Sequence, residues 1–144
     1  MNEIRGRDIL REVKARCEPF KSEFHGKKVT ILRFTPSPEE TAPTALAKYE
    51  AARYSTDSKV KTFQFLGCEV NSQLLTYKTT FENFVSILKT ANEDPLTLGI
   101  IVQNPIPPDL KQSLEIISPE KDLDGMQENH PLFKASATGK RSPV

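Results

Sequence analysis

Apolar side chains recur along this chain with two different periods, and the alternation between them lays out its elements. Ile4, Ile9, Leu10, Val13 and Cys17 return at roughly helical spacing, which predicts an amphipathic first helix over about residues 3–23, ended by His25-Gly26. Residues 28–34 are rich in β-branched side chains and predict a strand. After the loop Thr35-Pro36-Ser37-Pro38, a second helix is expected from Thr41 or Pro43 to Leu66, with proline tolerated in its first turn and Gly67 as the stop. Residues 70–77 read as a second strand. Thr79 or Thr80 caps a third helix whose buried face is Phe81, Phe84, Val85 and Leu88, and Asn92-Glu93-Asp94-Pro95 breaks it.

Residues 98–103, Leu-Gly-Ile-Ile-Val-Gln, form a short continuous apolar run. Such a run suits a strand covered on both faces. Pro105, Pro107 and Pro108 stop it, because proline has no N–H for a ladder. A further helix opens at Pro108-Asp109, with Leu110, Leu114, Ile116 and Ile117 as its apolar positions, and Ser118-Pro119 ends it. Helix and strand therefore alternate, which predicts an α/β class with a mainly parallel sheet. Beyond Gly125 the periodicity fades, and residues 134–144 read as a polar tail or linker.

Composition narrows the function classes. Twenty basic and 19 acidic side chains leave a net charge of +1, which gives no general attraction to nucleic acid or to an anionic membrane. No apolar run has the length of a membrane span, and Met1-Asn2-Glu3-Ile4-Arg5 lacks an apolar signal core, so a cytoplasmic address is the expectation. Cys17 and Cys68 lie far apart and read as reduced packing thiols. With only His25 and His130 besides, no metal site is expected.

Three blocks carry chemistry. They are Gly99-Ile100-Ile101-Val102-Gln103-Asn104-Pro105-Ile106-Pro107, then Pro119-Glu120-Lys121-Asp122-Leu123-Asp124-Gly125, and Lys59-Val60-Lys61 with Gly67 eight residues after Lys59. Taken singly, each has a plain reading: a helix-surface lysine, a strand-end amide, an Asp-x-Asp-Gly turn. In this order and spacing they resemble the methylenetetrahydrofolate dehydrogenase/cyclohydrolase family, over nearly the whole chain to about His130.

That resemblance implies the family's N-terminal catalytic domain over residues 1–133, a three-layer αβα sandwich. It implies that Lys59 handles protons, that Gln103 contacts and tunes that lysine, and that Asp124 binds the aminopyrimidine edge of a pterin. One carboxylate can accept both hydrogen bonds of that flat donor pair. A lysine base must be neutral part of the time, against a reference pKa of about 10.4. Lys61, two residues on, reads as a solvated charge.

The family's stacking tyrosine stands four residues before its lysine. Ser55 occupies that position here, and Tyr54 lies one residue further away, so Tyr54 and Ser55 are the candidate substrate contacts beside Asp124. A shift of one residue turns a side chain by about 100° on a regular helix, so Tyr54 reaches a pterin only if the helix bulges. The family's Pro-Cys-Thr-Pro motif is not found.

The implied activity is oxidation of 5,10-methylenetetrahydrofolate to 5,10-methenyltetrahydrofolate with NADP, followed by hydrolysis to 10-formyltetrahydrofolate. The six glycines form no Gly-x-Gly-x-x-Gly, so no Rossmann domain is expected in this chain, and residues 134–144 would lead toward an absent NAD(P)-binding domain. Tetrahydrofolate derivatives are the expected partners, with a separate or downstream nucleotide-binding domain as a further one. Nucleic acid, membrane and metal are not expected. The other reading is a non-catalytic folate-binding or interaction module.

Overall fold

The computed structural model describes residues 3–126. Its elements are α1 (Gly6–Cys17), α2 (Lys21–Phe24), β1 (Lys28–Phe34), α3 (Pro43–Phe65), β2 (Glu69–Leu75), α4 (Phe81–Glu93) and β3 (Thr97–Val102), followed by 3-10 helices at Pro108–Ile116 and Pro119–Lys121. The three strands form one parallel sheet in the order β2-β1-β3. Central β1 has a strand on each side and core on both faces, which is why Val29, Ile31, Leu32 and Phe34 are all buried.

The chain moves one way across the sheet from β1 to β2 and back from β2 to β3. Crossovers of one hand then put α3 and α4 on opposite faces. The two cores follow the strand pleat. Leu32 and Phe34 of β1, with Ile100 and Val102 of β3, meet Phe84, Leu88 and Ala91 of α4. Val29 and Ile31, with Ile101, meet Val60, Phe63 and Leu66 on the α3 side. The result is the expected layered α/β arrangement.

Local chemistry sets the ends. Thr80 Oγ1 accepts from the Asn83 N–H and caps α4. At the end of α3 the Cys68 N–H returns to the Phe63 carbonyl while Gly67 sits at φ +91°, a glycine-closed helix end. Between β1 and β3 the register slips next to Leu98, so Val29 pairs with Gly99.

Four expectations change. The first helix is not continuous: a 3-10 turn at Glu18–Phe20 separates α1 from α2. Pro19 has no N–H to give and its ring crowds the carbonyl one turn back, so α-helix cannot run through it. Nor does α1 bury its apolar stripe, since Ile9, Leu10 and Val13 stay about half exposed and no described residue covers them. The segment from Pro108 is a 3-10 helix rather than an α-helix, although Leu110, Leu114 and Ile117 do enter the α4-side core. Finally, the second strand stops at Leu75, and Tyr77 lies in the turn beyond it.

Candidate functional site

The carboxyl ends of the strands carry the candidate site. In an open parallel sheet, ligands settle where successive connections leave toward opposite faces. Here that crevice lies beyond β1 and β3, with α3 on one flank and residues 104–111 on the other. A cavity of about 550 Å³ opens there, lined by Ser55, Gln103, Asn104, Ile106, Lys111 and Asp124 among others. A volume of that order is usual for a small-molecule site.

Gln103 sits one residue past β3 and is 8% exposed. Its N–H donates to the Leu32 carbonyl at 2.8 Å, which extends the ladder and pins the backbone. Its side-chain amide donates to Ser55 Oγ at 3.5 Å. Asn104-Pro105, immediately after it, is a cis peptide.

Lys59 stands one helical turn beyond Ser55. Its Nζ lies 3.6 Å from Asp124 Oδ2, and both side chains are about 30% exposed. An ion pair of that exposure is worth at most about 1 kcal/mol, so a ligand offering two hydrogen bonds to the carboxylate competes with it easily. Lys61 is exposed, as expected from its place on the helix.

The turn that presents Asp124 is built from neighbours with other tasks. Asp122 is buried, pairs with Ile100 in a parallel bridge beside β3, and accepts the Met126 N–H at 3.1 Å. Gly125 takes φ +64°, which a β-carbon would disfavour. Lys121 Nζ donates to the carbonyls of Asn92 (2.7 Å) and Asp94 (2.9 Å) at the end of α4, and Asn92 Oδ1 accepts the Ser118 N–H at 2.8 Å. The last carbonyls of a helix lack partners within it, and Lys121 supplies one while tying down the turn. Asp122 therefore makes the turn, and Asp124 is left to face Lys59.

The structure thus brings Ser55, Gln103, Asp124 and Lys59 together, and two details differ from expectation. The side-chain partner of Gln103 is Ser55 rather than Lys59, and Lys59 pairs with Asp124. Tyr54 is not brought to the cavity. Helix α3 runs unbroken over Pro43–Phe65, so no bulge turns the ring inward. The ring is 62% exposed, with the Arg53 guanidinium 4.5 Å from its centre. Asn92, Lys121 and the two cavity lysines, Lys48 and Lys111, were not singled out by the sequence. Lys121 stood inside a quoted motif, and Lys48 lies on the Ser55–Lys59 stripe two turns before Ser55.

Among the described residues no group of His, Cys, Asp or Glu is arranged to hold a metal, and no helix is long and apolar enough to cross a membrane. Dinucleotide phosphates want a glycine-rich strand-to-helix turn. Residues 35–42 and 76–80, which lead from β1 and β2 into helices, contain no glycine. The described residues therefore do not fit that group. Cys17 and Cys68 are free thiols, and burial pushes the Cys68 thiol up.

Comparison with known proteins bears on the family and the fold. The family model "Tetrahydrofolate dehydrogenase/cyclohydrolase, catalytic domain" matches residues 5–124. A relative named bifunctional protein FolD, from Dehalococcoides mccartyi (strain CBDB1), is 32% identical over 132 residues, covering 90% of this chain and 41% of its own. The chain thus spans less than half the length of that relative. Among solved structures, the Campylobacter jejuni bifunctional FolD methylenetetrahydrofolate dehydrogenase/cyclohydrolase superposes with a TM-score of 0.65 at 24% identity, over 94% of this chain and 44% of that one. The Trypanosoma brucei methylenetetrahydrofolate dehydrogenase-cyclohydrolase, described as complexed with NADP cofactor and inhibitor, gives 0.58 at 19%, over 85% and 38%. At these identities the two structures speak for the fold alone. The family model covers most of the sequence, including both motifs that frame the cavity, and this chain belongs to the tetrahydrofolate dehydrogenase/cyclohydrolase family.

Proposed function

We propose that this chain is the folate-binding catalytic unit of an enzyme that oxidises 5,10-methylenetetrahydrofolate to 5,10-methenyltetrahydrofolate with NADP and hydrolyses the product to 10-formyltetrahydrofolate. The observation that carries the reading is the Lys59–Asp124 pair, 3.6 Å apart, beside a cavity that also receives the buried amide of Gln103. Asp124 accepts the exocyclic amine and ring N–H of the pterin, and this releases Lys59 from its ion pair. Ser55 and Gln103 orient the reacting end. In the hydrolysis, water adds to the methenyl carbon, a proton leaves that oxygen, and the bond from carbon to N5 breaks. Lys59 carries protons between these atoms. No dinucleotide cradle is found among the described residues, so no step of the oxidation is derived from them.

The test follows methenyltetrahydrofolate loss spectroscopically. Turnover above the uncatalysed rate that collapses in Lys59→Met supports the reading, whereas an unchanged rate removes lysine from the mechanism. A second reading is favoured by one observation: Tyr54 points away and Ser55 stands where the family has a stacking ring. On that reading the chain binds folate without turning it over. Calorimetry with a reduced folate against Asp124→Asn, run beside the rate assay, separates the two.

A further inference from the structure

The sheet has an open edge, far from the cavity, that the folate reading does not use. Strand β2 bonds to β1 on one side and, among the described residues, has no strand on the other. Successive residues of a strand turn their backbone groups to alternate sides. The Glu69 N–H donates to the Lys27 carbonyl and the Leu75 carbonyl accepts the Thr35 N–H, both toward β1. Val70, Ser72 and Leu74 therefore turn their N–H and C=O groups outward, where no described residue meets them. Exposed sheet edges are usually blunted by proline, lysine, a bulge or a covering element. Strand β2 holds neither proline nor lysine, runs in unbroken register with β1, and carries its single charge, Glu69, at its first position. Leu74 on this edge is 53% exposed.

We propose that two copies of this chain pair antiparallel along β2, about a two-fold axis at Ser72, and join their sheets into one. Antiparallel neighbours exchange hydrogen bonds where their backbone groups face each other. With the axis at Ser72, that residue meets its own copy, and Val70 meets Leu74 of the other copy at both ends. All three outward residues are then satisfied. A shift of one pleat either way wastes a pair, because the Cys68 N–H already goes to the Phe63 carbonyl and the Thr76 carbonyl already accepts from Thr79. The side chains agree with this register. Val70 stands across from Leu74, apolar on apolar, and Asn71 stands across from Gln73, amide on amide, with no like charges opposed. Helix α3 packs on both β1 and β2. Strands about 4.8 Å apart therefore bring the two α3 helices within about 10 Å, the spacing of packed helices. The strand ends of the two copies point in opposite directions, so both candidate cavities stay open. The inference does not depend on the folate reading.

The full chain is sedimented from about 1 μM to about 1 mM, the span of weak to moderate association. The expected result is a species of twice 16.2 kDa that falls to 16.2 kDa in Ser72→Lys, where like charges meet at the axis. Ser72→Glu does the same, and an equal mixture of the two variants restores the dimer. Ser72 is exposed, so both variants are expected to keep the fold. Hydrogen exchange on the parent needs no variant: the Val70, Ser72 and Leu74 amides are protected at high concentration and exchange freely on dilution. A parent that stays monomeric throughout overturns the inference, as does a dimer that survives Ser72→Lys. A dimer lost instead in Ile9→Lys/Val13→Lys overturns it in favour of the exposed stripe of α1. Loss in both Ser72 variants without recovery on mixing overturns the two-fold register.

Discussion

Lys59 and Asp124 face each other at 3.6 Å across the gap between α3 and the turn that follows the last 3-10 helix. Each is about two-thirds screened from solvent, and the pair contributes at most about 1 kcal/mol to the fold. Function and stability should therefore separate here. Lys59→Met is expected to leave the denaturation midpoint nearly unchanged while lowering methenyltetrahydrofolate hydrolysis about 10²- to 10⁴-fold, the usual range for a general acid/base. Asp124→Asn should weaken reduced-folate binding by about ten- to a hundredfold, as befits a hydrogen bond to a charged group. A large fall in stability in either variant would show that the pair holds the turn in place.

Leu123 lies directly over Gly99, where a β-carbon would collide with its Cγ and Cδ1. Gly99 is in β3, and Leu123 is the residue before Asp124. Gly99→Ala should cost about 1–3 kcal/mol through overpacking and should also weaken folate binding, because Leu123 must move and carries Asp124 with it. Adding Leu123→Ala should recover much of the lost stability. Urea denaturation of the parent and the two variants checks the stability, calorimetry with a reduced folate checks the binding, and a Gly99→Ala chain as stable as the parent would contradict the argument.

Thr56, beside Ser55 on α3, is 2% exposed, and its hydroxyl has no hydrogen-bond partner among the described residues. A buried hydroxyl without a partner costs its desolvation, whereas a methyl of the same shape does not. Thr56→Val should raise stability by about 1 kcal/mol without changing folate affinity. A lower midpoint would mean that the hydroxyl does find a partner.

Lys28 and Asp94 close the opposite, amino-terminal end of the sheet, with Nζ 3.0 Å from Oδ2. The Leu96 N–H, and then Lys28, hold the Asp94 carboxyl below its ordinary range, while Asp94 raises the Lys28 ammonium above its own. For Asp94 the folded value is the lower one, so its contribution is complete above the unfolded value of about 3.9 and fades as pH falls through the folded value. For Lys28 the folded value is the higher one, so its contribution is complete below about 10.4 and fades as pH rises through the folded value. Stability from this pair should be flat between about pH 5 and 9. Asp94→Asn should reduce the acid-side decline in urea midpoint. Superimposable profiles below pH 4 would count against it.

Much of the fold was legible because it depends on short-range pattern. The β-branched run at Lys28–Phe34, the apolar run of Thr97–Val102 and the glycine at 67 each specify a local state that the tertiary structure had no cause to override. Pro19 was equally visible, but the helical spacing on either side of it masked the break. The candidate site was legible as a set of residues, since Lys59, Gln103 and Asp124 each stand in one of three recognisable blocks. Their partners were not, because a contact such as Gln103 to Ser55 joins positions 48 residues apart.

What the sequence determined by itself was the order of helices and strands and the identity of the polar groups beyond the strand ends. Both follow from periodicity and residue type, which need no neighbours in space. Only the tertiary structure decided that Lys59 meets Asp124, that Tyr54 turns outward on an unbroken helix, and that Lys48 and Lys111 share one cavity from opposite walls. Those outcomes depend on how α3 is rotated against the sheet and on where the Asp122–Gly125 turn is fastened. Rotation and fastening are set by packing among residues distant in the chain, such as Val60 and Phe63 on Ile31, Leu123 on Gly99 and Lys121 on the end of α4.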